Sequence, residues 1–107
     1  MSFTPGGQET RITTATTATV VSAPAASTQR LVKNIRLTNA SSVAIDLTVQ
    51  HDKAATATEI ARDAALAAGA SIDVEGPFVL DATDETITVT IGTAQPLHVV
   101  AAYADRS

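Results

Sequence analysis

The side chains that could do chemistry in this 107-residue chain are few and scattered. His51 and His98 are its two histidines, and with a carboxylate they could form a metal centre if the fold brought them together. Nothing in their spacing forces that. The plainer reading is a surface histidine beside Asp52 and a strand histidine between Leu97 and Val99, each with an ordinary hydrogen bond. Asp81, Asp84 and Glu85 gather in one turn. A calcium loop needs oxygen ligands at regular spacing, often around a Gly that sharpens the turn. D-A-T-D-E has neither the alternation nor the Gly, so a solvated turn is expected, with a weak cation site as the alternative.

No nucleophile stands out. The serines lie in loops without a G-x-S-x-G elbow, and Gly6-Gly7 lies near the N-terminus, not between a strand and a helix where it could cradle a phosphate. With no cysteine, the chain has neither a disulfide nor a thiolate metal site. These residues point away from an enzyme, a cofactor and a small-molecule substrate.

The elements that would position these groups read as strands. Val43, Ile45, Leu47 and Val49 alternate with Ala44, Asp46, Thr48 and Gln50, a period of two that separates an apolar face from a polar one. Upstream, Leu31, Ile35 and Leu37 share a parity that Lys33 interrupts. Asn39-Ala40-Ser41-Ser42 between them are turn formers whose short side chains can bond the nearby backbone. Arg30–Gln50 is therefore expected as a β-hairpin with Leu31, Ile35, Leu37, Val43, Ile45, Leu47 and Val49 inward. Thr86–Ile91 alternates as well, and Leu97–Ala104 forms a last strand carrying Tyr103. Ala70–Glu75 reads as a strand punctuated by Gly76-Pro77, Thr13–Thr19 as weak, Thr-rich strand and Thr19–Ser22 as a strand end. Strands at about ten-residue spacing with turn signals between them mark a sandwich or barrel.

One segment is ambiguous. Thr56–Leu66 carries dense alanine, a Thr56/Glu59 capping box and Gly69 placed to end a helix, so propensity favours helix; alternation of Thr58, Ile60, Arg62, Ala64 and Leu66 favours strand. Met1–Thr10, with Pro5-Gly6-Gly7 and no periodicity, is expected as an extended arm held by a neighbour, leaving 11–107 as the folded domain.

Composition narrows the partners. Ala and Thr supply 21 and 17 of the 107 residues, and the aromatics are Phe3, Phe78 and Tyr103. Such a core should be thin, which favours docking on neighbours. The net charge is −4: residues 1–53 hold five Lys/Arg against three Asp/Glu, and residues 54–107 hold two against eight. That balance argues against nucleic acid, which needs a basic face. The N-terminus lacks a signal-peptide pattern and no apolar run approaches the ~20 residues of a membrane helix, so a soluble protein made in the cytoplasm is expected.

Four stretches together resemble a family of small structural proteins of tailed bacteriophages and prophages. They are TTATTATVVSAPAASTQRLVKNIRLTNAS, VAIDLTVQH, LAAGASIDVEGPFVLDATDETITVTI and the closing HVVAAYADRS. Each motif is short, and the match spans about residues 10–107. The resemblance implies an all-β fold, a single antiparallel β-sandwich (jelly-roll or Ig-like) of about seven to eight strands, with Thr56–Leu66 as strand despite its propensity. It implies a non-enzymatic virion protein that docks on other virion proteins and on copies of itself, at a tail, neck, tail-tip or capsid-decoration position. The residues expected to dock are Arg30, Lys33, Arg36, Phe3 and Tyr103, with the basic cluster meeting an acidic neighbour. The alternative is a carbohydrate- or host-surface-binding module, which would need exposed aromatics.

Overall fold

The computed structural model describes residues 3–53, 56–81, 83–92 and 95–106, and of Phe3, Thr4 and Ala64 the backbone. Eight strands follow one another: β1 (Phe3–Ile12), β2 (Thr17–Val21), β3 (Gln29–Asn39), β4 (Ile45–Lys53), β5 (Thr56–Leu66), β6 (Ser71–Leu80), β7 (Glu85–Ile91) and β8 (Leu97–Arg106). They form two four-stranded antiparallel sheets, ordered β1-β8-β3-β6 and β2-β7-β4-β5. Successive strands from β1 to β4 and from β5 to β8 alternate or cross between sheets in the double Greek-key manner of a jelly roll. The fold is thus the expected antiparallel sandwich, and its strand order selects the jelly-roll form.

The core lies between the sheets. Ile35, Leu37, Val74, Leu80, Leu97 and Val99 enter it from the first sheet, and Ile45, Leu47, Val49, Ile87, Val89 and Ile91 from the second. Period-two alternation produces this: in β7 the three apolar residues are buried between threonines. Alanine contributes less than its abundance suggests, with Ala101 the one alanine in the buried cluster among the described residues. Thr56–Leu66 is a strand, paired along β4, so the packing of Leu66 and the ladder override its helix propensity.

Four expectations are corrected. Arg30–Gln50 is not a hairpin, because β3 and β4 lie in opposite sheets and the intervening turn crosses the sandwich. Asn39 explains the crossing. It is fully buried, and its Nδ2 donates to the carbonyls of Val43 (2.7 Å) and Leu66 (2.9 Å) while its Oδ1 accepts from the Ser41 amide. Val43, in that turn, is 45 % exposed instead of inward.

The second correction concerns β3. A bulge at Lys33, opposite Gly76-Pro77 of β6, shifts the register of β3 against both neighbours. The bulge reverses which side chains face in. Val32 is buried, Leu31 is only partly covered, and Arg30 turns inward. Third, Gly76-Pro77 sits inside β6 and does not end it; β6 is an edge strand, where a proline lacking its N–H is tolerated.

Fourth, the segment expected as an extended arm held by a neighbour is, from residue 3 onward, β1, paired residue by residue with β8 of its own chain. It is extended, but it lies on its own sheet. Gly6 has a local reason: a Cβ there would come within 2.6 Å of the Tyr103 ring. Gly69 has another, since the turn from β5 to β6 gives it a φ of +74°.

Candidate docking surface

Of the residues expected to dock, Arg30 is committed to the fold. Its Nε and Nη2 grip the two Asp105 carboxylate oxygens at 2.8 and 3.0 Å, a bidentate pair. Nη1 donates to the carbonyl of Ser22 at 2.8 Å, just past β2, so the guanidinium ties the first sheet to the second. Its Cζ lies 4.1 Å from the Tyr103 ring centre, a cation–π contact. The Asp105 hydrogen bond raises the Arg30 pKa, outweighing the burial that lowers it. Gln8 of β1 strengthens the same junction by accepting from the Ser22 amide at 2.9 Å. Arg30 and Tyr103 therefore meet each other and leave little for a partner; the Arg30 side chain is 12 % exposed.

Lys33 and Arg36 point the other way. Lys33 is exposed at the bulge, and Arg36 is 61 % exposed, with Asp73 as a loose companion at 3.8 Å. The Phe3 side chain lies outside the described residues. Arg36 belongs to the outer face of the first sheet. One row across that face, read by register, is Glu9, Val100, Arg36 and Asp73; the next is Gly7, Ala102, Asn34 and Glu75. A further row holds Pro5, Ala104, Leu31 and Val79. Val79 and Val100 are 46 % and 49 % exposed. A shallow hollow of about 180 Å³ lies between Gln29, Leu31, Val79 and Arg106.

On the outer face of the second sheet, Thr17 and Thr90 join hydroxyls at 2.7 Å, and Thr88 Oγ1 donates to Asp52 at 2.9 Å. These hydroxyls are partnered within the sheet, as those of Thr38 and Ser71 are at 2.9 Å on the first.

The histidines and the acidic turn form no common centre. His98 is on β8 in the first sheet and His51 on β4 in the second. His51 instead meets Glu85, with Nε2 2.9 Å from Oε2. Glu85 is 2 % exposed, and Lys53 Nζ approaches its other oxygen at 3.4 Å. Burial alone would push the Glu85 carboxyl up; hydrogen bonds with Asp81 and His51 and the Lys53 charge outweigh it and hold the group below its ordinary range. Asp81 moves up, because it shares that hydrogen bond and feels the Glu85 charge. Asp84 is exposed. Among the described residues, no three metal-type side chains converge. The inward turn of Glu85 was hidden in the sequence; its signal was the parity it shares with Ile87 and Val89, which places the first residue of β7 on the core side.

No protein-family model matches this chain, and no curated protein matches it. Solved structures do share its fold. A chain of the IBDV T13 viral particle aligns with a TM-score of 0.61 at 14 % identity over 96 % of this chain; the present sequence spans 30 % of that longer protein. The capsid asymmetric unit of cyanophage Pam1 aligns with a TM-score of 0.53 at 16 % identity, over 95 % of this chain and 84 % of its own. The Drosophila NLP core, described for pentamer formation and histone binding, aligns with a TM-score of 0.55 at 16 % identity over 92 % and 96 %. At such identities, the likeness is one of fold.

Proposed function

We propose that this chain is a non-enzymatic structural protein of a bacteriophage particle, docking on other virion proteins and on copies of itself. The observation that carries the reading is the eight-stranded jelly roll, which is shared over most of both chains with the cyanophage capsid protein. The outer face of the first sheet supports it, since it leaves the apolar Val79 and Val100 open to a partner. A place in or on the capsid is the position this favours over tail or neck. The NLP core carries the same fold outside viruses, so the assignment rests on the phage resemblance of the sequence together with the fold.

The sugar-binding alternative is not favoured. Tyr103 lies beneath Arg30, and Phe78 packs on the core, so neither offers the open ring that sugar stacking needs.

Particles purified by density gradient from a culture carrying the gene test the proposal. The chain should band with them, in a fixed ratio to the major coat protein on a stained gel. If it stays in the soluble fraction while particles band without it, the proposal fails.

A further inference from the structure

We infer that the outer face of the β1-β8-β3-β6 sheet is an interface between two copies of this chain, packed face to face about a two-fold axis that runs along β8. This deepens the self-association in the proposed function and rests on it.

The centre of the face is β8. Its outward side chains Val100 and Ala102 are exposed, and Gly7 beside them on β1 is bare backbone. Small and apolar residues here let two sheets approach to the ~10 Å at which sheets pack. With the axis along β8, three strands of about ten residues (β1, β8 and β3) oppose their copies over roughly 30 by 10–15 Å. Such a face, rims included, is at the small end of specific interfaces, below the ~800 Å² per partner of a standard one.

Charge decides the occupant and the axis. In an isologous pair, whatever residue i meets, its copy meets in return. An axis along β8 exchanges β1 with β3. It therefore sets Glu9 opposite the partner's Arg36 and, by symmetry, Arg36 opposite the partner's Glu9, with Val100 against its own copy between them. Arg36 has the freedom to respond, since its own Asp73 stands 3.8 Å away and both are largely solvated. Moving the axis between β8 and β3 would exchange β1 with β6 and set Glu9 against the partner's Asp73, two like charges. A flat apolar ligand or an acidic partner would make no use of the Glu9 and Arg36 rims together. A second copy uses both.

Sedimentation of the purified protein over roughly 1–100 µM, with charge swaps, tests this. The native chain should form a dimer. Val100→Asp should yield monomer, with a melting curve showing that this exposed position still folds. Glu9→Arg and Arg36→Glu should each weaken the dimer about tenfold or more, and the double swap should restore most of the affinity. A native monomer throughout the range overturns the inference. So does an oligomer indifferent to Val100→Asp and to both swaps, which would leave self-association standing but through another surface. Banding with particles judges the virion role separately.

Discussion

Arg30 and Arg36 lie on the same strand, and the Lys33 bulge between them sends them to opposite environments. Arg30 closes the end of the sandwich where β1 starts and β8 ends, with all three of its donor nitrogens engaged and its face covered by Tyr103. Arg36 stands on the open face with one loose companion. Two residues of identical chemistry thus do different work: one holds the sheets together, the other is available to a neighbour. The same contrast separates the closed end as a whole, where Glu85 is buried under His51 and Lys53, from the open face of the first sheet. If it is right, substitutions at the closed end cost stability and leave association alone, and those on the open face do the reverse.

The largest effect is expected at His51. Replacing it by Ala removes the ring that meets Glu85 Oε2 and leaves a carboxylate 2 % exposed without that hydrogen-bond partner, with Lys53 Nζ at 3.4 Å from its other oxygen. Leaving a buried carboxylate without that hydrogen bond costs about 3 kcal/mol. For a domain of this size, that lowers the melting temperature by on the order of 10 °C or more. A loss under about 1 kcal/mol in a denaturant titration would show that Glu85 is satisfied without His51 and would remove half of the contrast.

Arg30→Ala should follow at about 2 kcal/mol. It breaks a bidentate pair, frees the Ser22 carbonyl and uncovers Tyr103. Asp105 is 26 % exposed and can turn to water, which keeps the cost below that of a sealed pair. Chemical denaturation of the variant measures the loss, and its sedimentation should match that of the native chain. A change in association would place Arg30 at the interface after all.

Most of the strands were legible in the sequence, the contrast between the two arginines was not, and both outcomes have physical causes. Alternation exposed β4 and β7, because one face of each strand is buried and the other is not. It could not separate a hairpin from a crossing between sheets, because both bury the same parity; Asn39, with four side-chain hydrogen bonds to Ser41, Val43 and Leu66, makes that choice, and the bond to Leu66 is distant in the chain. Lys33 was the visible sign of trouble in β3. A lysine at a core parity means either a snorkelling stem or a bulge, and the bulge moved Arg30 inward and Leu31 outward. β1 was hidden for a different reason. Pro5-Gly6-Gly7 reads as loop, yet an edge strand accepts proline, and Gly6 clears room for the Tyr103 ring.

Acid sharpens the comparison at Glu85. Its carboxyl is held below the ordinary 4.5, so the folded chain resists taking a proton that the unfolded chain accepts. The stability this confers is complete above 4.5 and is lost as pH falls through the lowered folded value. Asp81 acts in the opposite sense, because its carboxyl is raised by the shared hydrogen bond, so the acid limb reports the pair. Glu85→Gln should cost about 1 kcal/mol at neutral pH, since the amide keeps the shape and loses the charge. It should also flatten the fall in stability as pH drops below 4.5. Parallel acid limbs for the native chain and the variant would mean that other carboxylates govern acid unfolding.

The smallest effect on stability belongs to Arg36→Ala, and that smallness is what the comparison needs. At 3.8 Å, with Arg36 61 % and Asp73 44 % exposed, the pair is screened by water and contributes at most about 0.5 kcal/mol within one chain. The outward side chain covers no core, so its removal opens no cavity. Denaturant midpoints of the native chain and Arg36→Ala, taken at a concentration where both are monomeric, should agree within that margin; raising the concentration should then separate them, since the native chain gains stability from self-association and the variant gains less. If Arg36→Ala destabilised the monomer as much as Arg30→Ala does, the two arginines would share one structural role, and the open face would lose its claim to be a surface kept for a neighbour.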